Sequence, residues 1–111
     1  MSCIDKVEEF LSENDPLPAS TIQILIVDDN MYQHSMRRQI YTLASRHDVR
    51  TIVVWFNTDP SVAFSRNQCR SEDRRVSQES FSRIASQFEA PDRKYIADRY
   101  YVEVRGDDDY Q

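Results

Sequence analysis

Glycine is nearly missing from this sequence: Gly106 is the only one in 111 residues. Phosphate-cradling loops need glycines so that backbone N–H groups can close around the anion, and neither G-x-x-x-x-G-K-S/T nor G-x-G-x-x-G can be drawn here. A surplus of positive charge is missing too. Fourteen Lys and Arg against nineteen Asp and Glu give a formal charge of -5, so no global basic field holds a nucleic-acid backbone. DNA is not expected as a partner, and any RNA contact needs a local patch. The two cysteines, Cys3 and Cys69, lack metal-ligand spacing, and no charged n-region followed by an apolar h-region opens the chain. The expected setting is the reducing cytosol. No apolar run approaches the roughly 18 residues of a membrane span, so no membrane partner is expected.

What is present is enough apolar material for one small globular domain or a piece of one, with 40% hydrophobic and 11% aromatic residues. The chain is organised around Ile22-Gln23-Ile24-Leu25-Ile26-Val27-Asp28-Asp29-Asn30. This short, β-branched run ending in acids reads as a strand buried on both faces of a parallel α/β sheet. Ligands of open α/β sheets sit beyond the carboxyl ends of the strands, which makes Asp28 and Asp29 the first site candidates. Two carboxylates there suit Mg²⁺, a small hard cation usually held by one or two acids plus phosphate oxygens. Three readings of the pair compete: the Walker-B-like acid of a phosphotransferase, the acidic pocket of a receiver domain, and acids that simply cap the next helix.

Around that stretch the pattern alternates. Ile4, Val7 and Leu11 at helical spacing predict a short helix over 4–13, and Asn14-Asp15-Pro16-Leu17-Pro18 a connector. From Met31 to about His47 a helix is expected with Met36, Ile40, Leu43 and His47 on its packed face and Arg37, Arg38 and Ser45 turned elsewhere. His34 and His47 have no partner spacing for metal and read as surface or hydrogen-bonded helix residues. Residues 51–56 form a second apolar strand, and Asp59-Pro60 a strong helix start. Ser77 is expected to cap a helix carrying Phe81, Ile84, Ala85 and Phe88, which Ala90-Pro91 ends. Residues 99–105 alternate as a third, edge strand with Tyr100, Val102 and Val104 on one side, and Asp107-Asp108-Asp109 reads as a solvated tail.

The helix that starts at Pro60 runs into a basic stretch holding Arg66, Arg70, Arg74 and Arg75. If the helix continues through them, Arg66 and Arg70 stand one turn apart and both guanidinium forks can reach one polyanion. The plainer alternative is a solvated face with Glu72 and Asp73 as counter-ions.

These residues also carry a family likeness. Leu25-Ile26-Val27-Asp28-Asp29-Asn30-Met31-Tyr32, then Ser35-Met36-Arg37, then Arg66-Asn67-x-x-Arg70, then Phe88-Glu89-Ala90-Pro91 resemble the middle of the L-seryl-tRNA(Sec) kinase family, also called phosphoseryl-tRNA kinase, from about residue 22 to 105. The resemblance implies a P-loop kinase of the adenylate-kinase-like group that moves the ATP γ-phosphate to the seryl group on selenocysteine tRNA. It implies an α/β fold with three mostly parallel strands and flanking helices. ATP and Mg²⁺ would be cofactors, and seryl-tRNA(Sec) the partner of the complete parent protein. Asp28 or Asp29 resembles the Walker B acid acting through Mg²⁺, and Arg66 and Arg70 resemble the lid pair that neutralises the transferring phosphoryl group. The family's P-loop does not precede Ile22, nor its helical tRNA-binding region follow Gly106. The chain is therefore expected to be a single partial kinase domain, with 1–21 helix and linker and 106–111 tail, incomplete for catalysis alone.

The alternatives differ in class. I-L-I-V-D-D-N is also how many receiver domains begin, but the second strand ends in Phe56-Asn57 with no acid, and the phosphoacceptor position would fall near Asp73 in a charged stretch. A non-catalytic fragment or pseudo-kinase interaction module fits the missing glycine loop. The related elongator-associated ATPases share the fold and a similar strand-acid-helix stretch, while the D-D-N-x-Y and R-N-x-x-R texts favour the seryl-tRNA kinase.

Overall fold

A computed structural model describes residues 2–13, 18 and 20–106. The expected connector at 14–17 and the acidic tail at 107–109 lie outside the described residues. The elements are α1 (Cys3–Glu13), α2 (His34–Arg46), β1 (Val53–Asn57), α3 (Pro60–Gln68), α4 (Gln78–Gln87), a 3-10 turn (Ile96–Asp98) and β2 (Tyr101–Arg105). β1 and β2 pair in parallel, Val53 opposite Tyr101 through Asn57 opposite Arg105, with α3, α4 and the 3-10 turn between them in sequence. The fold is a small α/β arrangement with flanking helices, consistent with part of a P-loop kinase-like fold.

The local chemistry explains where helices begin and end. Asp59 accepts from the Ser61 N–H at 2.9 Å and Pro60 takes the first helical position, so α3 starts where expected. Ser77 caps α4 by accepting from the Ser80 N–H at 3.1 Å. The end of α2 is unusual, because the one residue there in left-handed conformation is Asp48, at φ 56°, rather than glycine. Asp48 N–H donates to the Ser45 carbonyl and Val49 N–H to the Ala44 carbonyl, the two bonds of a Schellman ending. Asp is one of the few side chains that tolerate this conformation. The single glycine serves the sheet. Gly106 N–H donates to the Asn57 carbonyl at 2.9 Å, and a Cβ there would overlap the Thr58 side chain.

The largest departure is the acid-tipped run. Residues 21–28 form no strand, and Ile22, Ile24 and Ile26 are 87%, 78% and 83% exposed. A strand exists by its ladder, and β1 is paired only with β2 among the described residues. Apolar composition is thus present at 22–27 without a hydrogen-bonding neighbour to make it a strand. Of the three expected strands, two form.

Neither strand is sealed on both faces. Along β1 the half-buried side carries Val53, Trp55 and Asn57, while Val54 and Phe56 face outward. The ring of Trp55 meets Phe88 at 6.1 Å and Tyr101 at 6.3 Å. In β2, Tyr101 therefore packs inward against Trp55, and Tyr100 and Val102, expected on the covered side, are exposed. Among the described residues the sheet has two strands, and Phe88 at the end of α4 meets its half-buried side through Trp55.

Among the described residues, the buried apolar side chains are Val7, Leu43, Ala44 and Ala97, together with Pro91. Met36 and Ile40 are half-buried and His47 is exposed. The α4 stripe packs loosely: Phe81 meets Phe64 edge to face at 5.4 Å, but Ala85 and Phe88 remain exposed. Arg37, expected on the outer side of α2, is buried. Beside so small an apolar core, polar contacts join α2 to the 89–98 segment, and Arg37 is where they converge.

Candidate functional site

Asp28 and Asp29 follow the exposed apolar ribbon and are themselves exposed. They line an open cavity of about 410 Å³ with Cys3, Lys6, Val7 and Phe10 of α1 and with Leu25, Ile26 and Val27. Asp29 is partly engaged. Its Oδ1 accepts from the Asn30 N–H at 2.7 Å and its carbonyl accepts from the Met31 N–H at 3.0 Å. Burial pushes the Cys3 thiol up and the Asp29 carboxylate adds to it, against a smaller downward pull from Lys6. Asp28 has no hydrogen-bond partner among the described residues, so its oxygens are available to a cation.

The donor set fits one mode of cation binding only. No group of three or more His, Cys, Asp or Glu among the described residues forms a metal cage. Two adjacent carboxylates match the way Mg²⁺ is commonly held, by one or two acids with the remaining positions filled by phosphate and water. For ATP itself the described residues offer no glycine cradle, since Gly106 is closed against Thr58.

Arg66 and Arg70 are exposed, and no ion pair or hydrogen bond joins either side chain to Asp28 or Asp29. They do not share a helix. α3 ends at Gln68 with Cys69 as its cap, so Arg70 lies in the following turn, its N–H donating to the Asn67 carbonyl at 3.1 Å. The buried residue between them organises the loop. Asn67 donates from Nδ2 to the Val76 carbonyl at 2.7 Å and accepts the Val76 N–H at 3.0 Å, as a strand neighbour would. Arg75 closes the same loop by donating to the Arg70 carbonyl at 3.1 Å. Asn67 thus sets where Arg70, Arg74 and Arg75 emerge.

The cluster that sequence reasoning missed lies at the start of α2. Arg37 donates from Nε to Asp98 Oδ1 at 2.8 Å and from Nη2 to Asp98 Oδ2 at 3.1 Å, a bidentate pair with both side chains buried. Its Nη1 donates to the Met31 carbonyl and its Nη2 to the Glu89 carbonyl, each at 2.8 Å. Asp98, fully enclosed, also accepts the Asp92 N–H at 3.2 Å. His34 Nδ1 lies 2.9 Å from both Asp98 Oδ2 and Arg37 Nη2, and its ring stacks on Tyr95 at 3.9 Å. Because Gln33 provides no side-chain cap, Glu89 serves instead: its Oε1 accepts the His34 N–H at 3.0 Å while its own N–H donates to the Tyr32 carbonyl at 2.8 Å. Burial alone would push the Asp98 carboxyl up. The hydrogen bonds from Arg37, the Asp92 N–H and His34, with the Arg37 charge, outweigh it and hold the group below its ordinary value.

The N-x-Y, S-M-R and F-E-A-P texts singled out in the sequence therefore meet in space through Tyr32, Arg37 and Glu89. The signal was slight: Arg37 precedes Ile40 and Ala44 by three and seven residues, a helical spacing, while Asp98 lies between Ala97 and Arg99. Their partnership, 61 residues apart, was not readable without the fold.

Among the described residues no helix is long and apolar enough to cross a membrane. A model of the family described as chromatin-associated protein KTI12 matches residues 17–111. This match supports a P-loop kinase-like relationship, and not specifically the seryl-tRNA(Sec) kinases. No solved structure matches the chain.

Proposed function

This chain belongs to the family of chromatin-associated protein KTI12, and from that premise we propose that it supplies the acid pair and the arginine loop of a P-loop kinase-like phosphotransferase acting on tRNA in the cytoplasm. The observation that carries this reading is the Asp28–Asp29 pair, exposed beside an open cavity and anchored to the start of α2. Asp28 and Asp29 would hold Mg²⁺, which when bound with ATP supplies charge neutralisation across the phosphates. Arg66 and Arg70, set apart by the Asn67 clamp, present guanidinium groups that offset charge on a phosphoryl group entering from the loop side. The finer version, phosphorylation of the seryl group of selenocysteine tRNA, rests on the D-D-N-x-Y and R-N-x-x-R texts.

A second reading is a non-catalytic interaction module, favoured by the exposed Ile22, Ile24 and Ile26. Transfer of γ-phosphate from ATP, measured with seryl-tRNA(Sec) and with uncharged tRNA on a version of the chain completed with a glycine phosphate loop, separates the two. In the first reading, Arg66→Ala and Arg70→Ala each lower the rate by roughly a hundredfold or more. Equal rates in both variants would sink the arginine assignment. No transfer by the folded, completed version would favour the interaction module, and transfer that ignores the seryl group would remove the finer version.

A further inference from the structure

Arg37 does more than pair with Asp98. A buried ion pair is a weak source of stability, because two charges are taken out of water and replacement by apolar groups is often neutral or better. Side-chain exposures of 5% and 1% put this pair in that class. What an apolar replacement cannot reproduce is directional reach. The Arg37 fork is oriented by both Asp98 oxygens, and that orientation leaves Nη1 free to hold the Met31 carbonyl at 2.8 Å, two residues beyond Asp29. Met31 is in turn bonded to the Asp29 carbonyl through its own N–H. Residues 21–30 belong to no helix or strand, so no backbone ladder of its own fixes the acid pair. On its other side the same guanidinium holds the Glu89 carbonyl, and Glu89 caps α2.

We propose that Arg37, fixed by Asp98, is the positioning residue for the acid pair: through the Met31 carbonyl it sets the backbone that presents Asp28 and Asp29 and ties it to the 89–98 segment. The proposal rests on the reading of Asp28 and Asp29 as cation ligands. His34 adds a third grip on Asp98, and Tyr95 covers it by stacking. A positioning contact of this kind acts as outer-shell partners of ligands do, whose loss typically weakens metal affinity 10–100-fold.

The test separates position from stability. Arg37→Met/Asp98→Leu fills the buried space with apolar groups and is expected to fold, but has no donor for Met31. Arg37→Lys keeps the charge and loses the fork. Mn²⁺, as the probe for Mg²⁺, is titrated into the wild-type chain and both variants by electron paramagnetic resonance. Amide shifts of Asp28, Asp29, Asn30 and Met31 are recorded by NMR without metal. The expected result is a double variant nearly as stable as wild type, with displaced amide shifts and Mn²⁺ affinity lower by roughly tenfold or more. Wild-type shifts and affinity in that stable double variant would overturn the proposal. If the wild-type chain binds no Mn²⁺, the cation-ligand reading falls by itself, and the shifts still decide whether Arg37 places these residues. Should the double variant fail to fold, Arg37→Lys provides the same comparison.

Discussion

Replacing Arg37 alone with methionine is expected to destabilise the fold by about 3–5 kcal/mol, because Asp98 is then left buried and unpaired. The effect is large against the roughly 5–15 kcal/mol that separates a typical domain from its unfolded state. The Met31 and Glu89 carbonyls lose their donor as well. Adding Asp98→Leu to Arg37→Met should recover most of the loss, since the cost lies in the orphaned charge and not in absent polarity. The pair also makes the fold acid-labile. The folded Asp98 value lies below the ordinary value of about 3.9. Its contribution is therefore complete above that pH and fades as the pH falls through the lower folded value. Urea unfolding at pH 7 and near pH 3 checks both points: wild type should lose more stability on acidification than the double variant. Equal acid sensitivity would show that Asp98 is not the titrating group that matters.

Trp55→Ala is expected to cost about 2–3 kcal/mol, less than a fully enclosed tryptophan because Trp55 is half-buried. Its ring joins β1 to Phe88 at the end of α4 and to Tyr101 in β2. Tyr101 lies under the Arg93 guanidinium at 4.0 Å, which extends the same stack to the turn before the 3-10 segment. A two-stranded sheet is marginal without such packing, so the β1–β2 ladder should lose hydrogen-exchange protection along with global stability. Protection of the Val53 N–H, which donates to the Tyr100 carbonyl, reports this locally. An unchanged unfolding midpoint would mean that the helices carry the fold without the aromatic stack.

Local signals in the sequence proved reliable where the physics is local. Asp59-Pro60 and Ser77 begin helices because side-chain oxygens meet N–H groups two or three residues away, and that is written in the order of residues. The run at 22–27 misled because its composition reports what would cover it, while strand formation depends on a neighbour that the composition does not describe. Arg66 and Arg70 would share a face only on a helix that continues through them, and the Asn67 grip on Val76 accompanies the turn of the chain at that point. For the candidate site, the acids were legible as exposed carboxylates after an apolar run. The Arg37–Asp98 pair was not, since a charged residue within a helix is usually solvated and only the packed structure shows this one enclosed. The family likeness was legible at the level of a P-loop kinase-like relationship. The motif texts that suggested a narrower family are in part those that build the Arg37 cluster, a structural role that related folds can share.

Calorimetric titration of the chain with Mg²⁺ and ATP, alongside an Asp28→Asn/Asp29→Asn variant, tests the acid-pair reading without needing a substrate. Saturable binding by the wild-type chain that is lost in the variant is the predicted result. Binding that survives undiminished in the variant would contradict it and move the function of this surface from phosphate chemistry to interaction.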